Sequence, residues 1–410
     1  MILINSQFLK IARDSVQEKA NQRISIFKAV NPNAKIIELN AGDVVRPLAP
    51  CVIEAMSRAL AEFSQTETFH GRGPIEGYQF LLDAIVKHDF KARRIKIDSS
   101  EIFINGGTKS ELAAIGDILC NDNRIAVTDP NYQTYIDTNV ISSRAGEQED
   151  DDHWSNILYM NCPKESDFMP DMLCETPEVI YLCYPNDPTG CTMDRETLTQ
   201  WVEYALEHNI LILFDATYQA FITDKTTPHS IYEIKGARRC AIELRSFSKS
   251  AGFTGLHCGY TVIPKELNGF SFSAGKGANL NELWRRRQEI KNYSPPYIVQ
   301  RGAEALYTAE GKKSIRDNVD YYMHNASLLR SALQNTRLNF WGGVNSPFIW
   351  VESPYQNSWQ LFDELLNNCN ILSSPGQRFG PAGKGYIRLS AFADQTQVTI
   401  ASSRLSDLDI

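Results

Sequence analysis

The sequence predicts an α/β protein of two domains, the larger one a doubly wound and mostly parallel sheet. Its 410 residues exceed the roughly 250–300 at which one hydrophobic core usually divides. Five short segments rich in Ile, Val and Leu alternate with helical periodicity, and such apolar runs suit strands buried on both faces of a parallel sheet. The five segments are 101–105, 124–129, 178–184, 209–215 and 240–246.

Helical patterns separate these strands, for example at residues 109–120 and 194–207. Strand–helix alternation of this kind predicts a large domain over residues 46–297.

The rest of the chain predicts a smaller α+β domain. Residues 300–335 carry long helical periodicity, and residues 348–353 and 385–392 resemble strands. We expect residues 1–45 to pack on this domain, which then comprises residues 1–45 and 298–410.

Composition excludes several classes of protein. There are 41 Lys and Arg against 49 Asp and Glu, a net charge of -8, whereas a nucleic-acid binder normally carries a basic stripe. No run of about 18 apolar residues is present, so no transmembrane helix is expected. The N-terminus does not resemble a signal peptide. Nine scattered cysteines without a C-x-x-C pair predict free thiols in the cytoplasm and no metal site.

In an open parallel sheet, ligands bind at the carboxyl ends of the strands. The first predicted strand is followed by Gly106, Gly107, Thr108 and Lys109, where backbone N–H groups, a hydroxyl and an ammonium could form an anion cradle. An ordinary helix N-terminus explains the same residues.

Two further strand ends carry polar side chains. Asn186 lies in the turn Pro185–Gly190 and presents an amide, although Pro and Gly also suit a simple rigid turn. Asp215 closes an apolar strand, with Tyr218 three residues later. A buried carboxylate is costly without a partner, so Asp215 needs a cation or a donor nearby.

The fifth strand leads into Ser246, Ser248 and Lys249, and then into the glycine-rich segment 251–260. Most lysines are surface residues, but four polar features at four strand ends form a pattern. A buried aspartate, a lysine, an anion cradle and an aromatic platform are what pyridoxal phosphate requires. The lysine forms a Schiff base with its aldehyde, and the carboxylate keeps its ring nitrogen protonated.

With these motifs, nearly the whole chain resembles the fold-type I aminotransferases, and most closely the LL-diaminopimelate aminotransferase family. The S-F-S-K motif with its following glycines is specific to the superfamily. The segments that carry the resemblance are GGTKSEL (106–112), DPNYQTYIDTNV (129–140), YPNDPTG (184–190), FDATYQAFITD (214–224), RSFSKSAGFTGLHCGYTVIPKEL (245–267), YIVQRGAEALY (297–307), GGVNSPFIWV (342–351) and FGPAGKGYIRLSAF (379–392).

The resemblance implies a role for each matching residue around pyridoxal phosphate. Lys249 would bond to the aldehyde and then move a proton as general acid and base. Asp215 would pair with the ring nitrogen, and Asn186 and Tyr218 would donate to the 3′-oxygen. Tyr132 would stack on the ring. The phosphate would be held by Thr108, Lys109, Ser246 and Ser248.

For the substrate, the resemblance implies that Arg388 grips the α-carboxylate as a bidentate fork, assisted by Asn345 and the backbone of Gly42. Two cofactor positions depart from the family pattern. His257 stands where the family has an arginine on the phosphate, and Arg72 stands where it has a tyrosine from the partner subunit.

Three positions around the distal end of the substrate also differ. Ser15 stands in place of a tyrosine, Ile75 in place of the glutamate that contacts the distal ammonium, and Tyr293 in place of an asparagine. Glu76 is adjacent to Ile75. Because a desolvated ammonium needs a partner, the amino donor stays open at this point.

The leading interpretation is a homodimeric aminotransferase with shared active sites that transfers an amino group between an amino acid and a 2-oxo acid such as 2-oxoglutarate. One alternative is a divergent pyridoxal-phosphate enzyme that performs elimination, cyclisation or oxidation on another amino acid. Another is a fold without chemistry that acts as a binding partner, which the retained site residues oppose.

Arg72 is predicted to replace the missing phosphate contact across the dimer interface. Arg72→Ala is therefore expected to weaken cofactor binding by about 1.5–3 kcal/mol, the range for a charge-assisted hydrogen bond. Titration of the apoprotein with pyridoxal phosphate measures this affinity. An affinity equal to that of the wild type would contradict the proposed replacement.

Overall fold

The computed structural model describes residues 2–11, 15–149, 153–291, 293–355 and 357–408. The strands in chain order are β1 (Ile37–Glu38), β2 (Ile102–Asn105), β3 (Ile125–Asp129), β4 (Ile157–Asn161), β5 (Val179–Cys183), β6 (Leu211–Asp215), β7 (Ala241–Ser246), β8 (Gly259–Val262), β9 (Asn268–Ser271), β10 (Lys276–Asn279), β11 (Phe340–Gly342), β12 (Phe348–Glu352), β13 (Ile371–Leu372), β14 (Ser374–Pro375) and β15 (Tyr386–Ser390).

The α-helices connect and cover these strands. In chain order they are α1 (Gln7–Lys10), α2 (Ser15–Val30), α3 (Pro50–Glu62), α4 (Gln79–Ile85), α5 (Thr108–Ile115), α6 (Thr134–Ile141), α7 (Arg195–His208), α8 (Ser248–Ala251), α9 (Leu280–Lys291), α10 (Tyr297–Ala305), α11 (Ala309–Gln334), α12 (Ser358–Cys369) and α13 (Gln395–Ser406).

The larger sheet has seven strands in the order β2-β8-β7-β6-β5-β3-β4. Strands β3 to β7 run parallel, and β8 is antiparallel to both β2 and β7. The five predicted strands are confirmed as β2, β3, β5, β6 and β7, and so is the α/β fold class. Sequence reasoning missed β4 and β8, because β4 is an edge strand with a broken apolar pattern and β8 follows a glycine-rich segment.

Each face of the larger sheet supports its own hydrophobic core. On β5, Ile180 and Leu182 join one core while Tyr181 and Cys183 join the other, as the alternation of side chains along a strand requires. The first core contains residues of α3, α4, α7 and α10, and the second contains residues of α5, α6 and α9. We call this sheet with its helices the large unit.

The smaller sheet is antiparallel, with strand order β11-β12-β15-β14. It shares a core with α11, α12 and α13, and we call this assembly the small unit. Strand β1 pairs with β13, so this part of the N-terminal segment joins the small unit, whereas Lys10 and Ile11 contact the large unit. Ala303 and Leu306 pack in the core of the large unit. We therefore propose that the boundary follows residue 306 rather than residue 297.

This architecture brings the carboxyl ends of the parallel strands next to the small unit, where the polar strand ends of the sequence converge. None of the described helices is long and apolar enough to cross a membrane. Glycine-rich turns at these strand ends and the β14–β15 side of the small unit form the walls of one large cavity.

A buried ion pair in the central sheet provides a test of the fold. The Glu243 carboxylate accepts a hydrogen bond from Nε of Arg245 at 2.6 Å, and also from Ser230 and the Ile231 backbone. Glu243→Ala leaves a buried guanidinium without its partner, so urea unfolding is expected to show a loss of about 3–5 kcal/mol.

The matched control is Glu54→Ala, which breaks an exposed ion pair with Arg58 on α3 and is expected to cost less than about 1 kcal/mol. Equal losses for the two variants would contradict the buried pair's role.

Candidate active site

A cavity of about 780 Å³ lies between the large unit and the small unit. Eleven of the residues predicted from the sequence line it: Gly42, Thr108, Lys109, Tyr132, Asp215, Tyr218, Ser246, Ser248, Lys249, His257 and Arg388. Residues far apart in the chain, such as Gly42 and Arg388, share this wall because the carboxyl ends of β2, β6 and β7 meet the small unit here.

One end of the cavity is an anion cradle at the start of α5. Gly107 has a φ of 102°, a left-handed conformation that favours glycine, and it turns the chain from β2 into the helix. A Cβ at this position would lie 3.6 Å from the Ser246 hydroxyl and would narrow the cradle. The Thr108 hydroxyl lies 2.8 Å from that of Thr217. Backbone N–H groups, hydroxyls and the helix dipole together suit a phosphate.

Asp215 lies at the end of β6 and is 5% exposed. Its carboxylate accepts hydrogen bonds from the Thr217 backbone N–H and from the Tyr135 hydroxyl, both at 3.0 Å. Burial raises the pKa of the Asp215 carboxyl above its usual value, and the bonds from Thr217 and Tyr135 oppose that rise. Such a carboxylate gains a strong partner when a protonated ring nitrogen binds beside it.

Lys249 projects from α8 into the middle of the cavity. Its Nζ atom lies 3.3 Å from the carboxylate of Asp43, and its side chain is 19% exposed. Tyr132 forms a further part of the wall and packs edge-on against the buried Tyr135, with ring centroids 5.6 Å apart. An amine and an aromatic face thus border the same space.

Arg388 comes from β15 of the small unit and is fixed on several sides. Its guanidinium lies over the rings of Phe348 and Phe379, 4.5 Å and 4.8 Å from their centroids. One terminal nitrogen donates to the carbonyl of Asn40, and the other forms an ion pair of 2.6 Å with Asp187. The arginine predicted to bind a substrate carboxylate therefore already contacts a carboxylate of its own chain.

Five predicted residues that the structure describes lie outside the cavity wall: Arg72, Ile75, Asn186, Tyr293 and Asn345. The Asn186 side chain donates to the Cys183 carbonyl and accepts from Thr189. The Asn345 side chain contacts Thr223 and Asp224. Both amides stabilise turns in the described chain, and the cofactor contact of Asn186 and the substrate contact of Asn345 stay predictions.

Three of the predicted positions that depart from the family pattern lie outside the cavity wall. Arg72 is exposed and lies 4.7 Å over the ring of Tyr293, which is itself 48% exposed. Ile75 is half-buried, and neither it nor these two residues line the cavity of the described chain. Glu76 pairs with Arg285. Ser15 begins α2, and its side chain lies outside the described residues.

Sequence reasoning missed three residues that contact the predicted ones. Tyr135 and Thr217 hold Asp215, and Asp187 contacts Arg388. Asp187 adjoins Asn186 in the quoted turn, and of these two neighbours it is Asp187 that lines the cavity. The wall also includes three cations that no sequence pattern singled out, Lys10, Arg378 and Lys384.

Comparison with known proteins identifies the family of this site. The family model described as aminotransferase class I and II matches residues 34–405, which is nearly the whole chain. This chain belongs to the class I and II aminotransferases. The predicted cofactor, pyridoxal phosphate, and the predicted enzyme class are thereby confirmed.

Relatives of this aminotransferase match it from end to end. LL-diaminopimelate aminotransferases of Parabacteroides distasonis and Bacteroides thetaiotaomicron are each 48% identical to it; 99% of this chain aligns with 99% and 100% of theirs. The solved L,L-diaminopimelate aminotransferase of Chlamydomonas reinhardtii is 33% identical, with a TM-score of 0.90 and coverage of 99% and 98%. An aspartate aminotransferase of Thermus thermophilus, 17% identical with a TM-score of 0.81 and coverage of 99% and 100%, shares the fold.

The cavity of this aminotransferase fits pyridoxal phosphate. The phosphate cradle, Asp215, Lys249 and Tyr132 all line one space, and Thr217 contacts both Thr108 of the cradle and the Asp215 carboxylate. The donor set supplies backbone N–H groups and hydroxyls for a phosphate, a carboxylate for a ring nitrogen and an amine for an aldehyde. This match is chemical and does not depend on the family name.

The hydrogen bond from Tyr135 to Asp215 predicts a shift in pH dependence. Asp215 must be ionised to pair with a protonated ring nitrogen, so activity is lost as the pH falls through its pKa. Tyr135→Phe removes a bond that lowers this pKa, so the acid limb of the pH–rate profile is expected to move up by as much as about one pH unit.

Tyr181→Phe is the matched control, since Tyr181 stacks on Tyr135 but its hydroxyl contacts Asn139. An acid limb that shifts equally in the two variants would contradict the assignment to Asp215.

Proposed function

We propose that this aminotransferase acts on an α-amino acid with a distal carboxylate and uses a 2-oxo acid such as 2-oxoglutarate as acceptor. The observation that carries this proposal is a set of cations in the cavity wall beyond those assigned to the cofactor phosphate. Lys10, Arg378 and Lys384 line the cavity in addition to Lys109. These three further cations favour a second anionic group on the substrate.

Pyridoxal phosphate, when bound, supplies an aldehyde for the amino group and a ring that accepts electrons from the substrate's Cα. We propose that Lys249 would bond to this aldehyde in the resting enzyme and that its amine would then act as general acid and base on the Cα proton. In the structure this amine is paired with Asp43.

The other residues of the wall hold the cofactor in this proposal. Asp215 keeps the ring nitrogen protonated, and Tyr132 covers one face of the ring. Burial holds the pKa of the Tyr218 phenol well above its usual value, so this hydroxyl stays protonated and can donate to the 3′-oxygen. The phosphate contacts come from residues already described at the cradle, Thr108, Lys109, Ser246, Ser248 and His257.

Diaminopimelate is the donor that the names of the 48% identical relatives suggest, and its distal carboxylate suits the cationic wall. Its distal ammonium lacks the glutamate partner that the family provides, because Ile75 occupies that position in this chain. This substitution favours the second candidate function, in which a divergent enzyme acts on another amino acid by elimination, cyclisation or oxidation.

We further propose a cytoplasmic homodimer that shares its active sites. The segment around Arg72 does not line the cavity of its own described chain, so a contact between Arg72 and a phosphate requires a second copy. Phe69 in the same segment is 61% exposed and is available to pack against that copy. The cytoplasmic location rests on the free cysteines.

The deciding experiment is a screen of amino acids for spectral conversion of the bound cofactor, with LL-diaminopimelate, glutamate, lysine, arginine and ornithine included. Transamination predicts glutamate formation from 2-oxoglutarate. Release of ammonia, or an altered carbon skeleton without 2-oxoglutarate, would establish the second candidate instead. Lys249→Ala is expected to abolish conversion of every donor, and conversion by this variant would overturn the role of Lys249.

A substitution of Lys384 tests whether this lysine binds a distal carboxylate of the amino donor. Lys384→Ala removes a cation from the cavity wall, so the KM for donors with a distal carboxylate is expected to rise about tenfold, the effect of one charge-assisted contact. The KM for a donor with a single carboxylate, such as alanine, stays within about twofold.

The control is Lys313→Ala, which removes an exposed lysine paired with Asp317 on α11. Equal changes in KM for both kinds of donor would refute distal recognition by Lys384.

A further inference from the structure

Asp187 places a carboxylate where the proposed function requires a carboxylate of the substrate. It is 7% exposed, lines the cavity and contacts Nη1 of Arg388 at 2.6 Å. Its second oxygen lies 3.4 Å from the Tyr218 hydroxyl. Asp187 thus contacts both Arg388, which the family resemblance assigns to the substrate α-carboxylate, and Tyr218, which the proposed function assigns to the cofactor 3′-oxygen.

The three guanidinium nitrogens of Arg388 face three different surroundings. Nη1 faces Asp187 and Nη2 donates to the Asn40 carbonyl at 3.0 Å. The buried Nε has no hydrogen-bond acceptor among the described residues. The rings of Phe348 and Phe379 pack against the guanidinium and restrict the space into which it could turn. A carboxylate ligand therefore meets an arginine whose charge is already balanced by an anion in contact with it.

A substrate carboxylate that binds Arg388 would lie close to the carboxylate of Asp187. Like charges a few ångströms apart in a buried site repel strongly, and the bidentate geometry that makes arginine a good carboxylate receptor is half occupied. An uncharged group in place of the substrate carboxylate is not repelled by Asp187 in this way. The site therefore distinguishes a carboxylate from a neutral carboxamide less sharply than a free arginine would.

We propose that Asp187 determines substrate specificity by competing with the substrate α-carboxylate for Arg388, so that the enzyme accepts amines whose Cα carries a neutral carboxamide nearly as well as free α-amino acids. This inference rests on the proposed function, because it takes Arg388 as the receptor for the group on Cα. The substrate class it adds is that of α-amino carboxamides, such as the C-terminal amide of an amino acid or short peptide.

The test compares L-glutamate with L-isoglutamine, which differ only in a carboxylate or a carboxamide on Cα. Each is titrated into the holoenzyme, and the spectral change of the bound cofactor yields a dissociation constant. The ratio of the two constants isolates the α-substituent, because the same amine reacts with the same cofactor in both cases. In the wild type the preference for glutamate is expected to be less than about tenfold.

Asp187→Asn keeps the shape of the side chain and removes the competing charge. The preference for glutamate is expected to rise at least about tenfold in this variant, and the smaller Asp187→Ser is expected to change it in the same direction. Asp137→Asn is the matched control, since Asp137 lines the same cavity but forms its described side-chain bond with Gln133. Its ratio is expected to stay within about twofold of the wild type.

Three results would overturn the inference. A large wild-type preference for glutamate that Asp187→Asn leaves unchanged would show that the two anions do not compete. A preference that falls in Asp187→Asn would make Asp187 a positioning residue for Arg388. A holoenzyme whose spectrum responds to neither probe would overturn the proposed function itself, whereas a response with an unchanged ratio overturns only the role of Asp187.

Discussion

The candidate site depends on one buried carboxylate whose charge the protein stabilises only in part. Asp215 lies at the end of a central strand, where burial opposes its charge, and a backbone N–H and a tyrosine hydroxyl compensate in part. The compensation is incomplete, so the carboxylate favours a cationic ring nitrogen beside it. This balance depends on the relative positions of three parts of the fold: strand β6, the helix that carries Tyr135, and the turn that carries Thr217.

The parallel sheet brings the parts of this site together from distant positions in the chain. Strands β2, β6 and β7 contribute the phosphate cradle, Asp215 and Lys249 from their carboxyl ends, although these segments are far apart in sequence. The small unit then closes the cavity with Arg388 and with cations from the turns around it. Cofactor contacts thus come mainly from the large unit, and candidate substrate contacts come mainly from the small unit and the N-terminal segment.

The sequence was sufficient to predict most of the large sheet and the cofactor wall, because buried parallel strands leave continuous apolar runs and the family motifs follow them directly. It was less informative where a single backbone turn decides the outcome. Asn186 and Asp187 are neighbours with similar side chains, and the conformation of the turn decides which one lines the cavity. Tyr135 and Lys384 lie in segments that carry the family resemblance, but their contacts with the site depend on tertiary packing, and Lys10 ends a short helix that has no recognised motif.

The contact between Asp187 and Arg388 also joins two parts of the molecule, since Asp187 follows β5 of the large unit and Arg388 lies on β15 of the small unit. Two further polar contacts that cross between the units join Lys164 to Glu352 and Asp224 to Asn345. Unlike those two, the pair of Asp187 and Arg388 lines the cavity itself. A ligand that fills the cavity therefore lies against one of the contacts that hold the two units together.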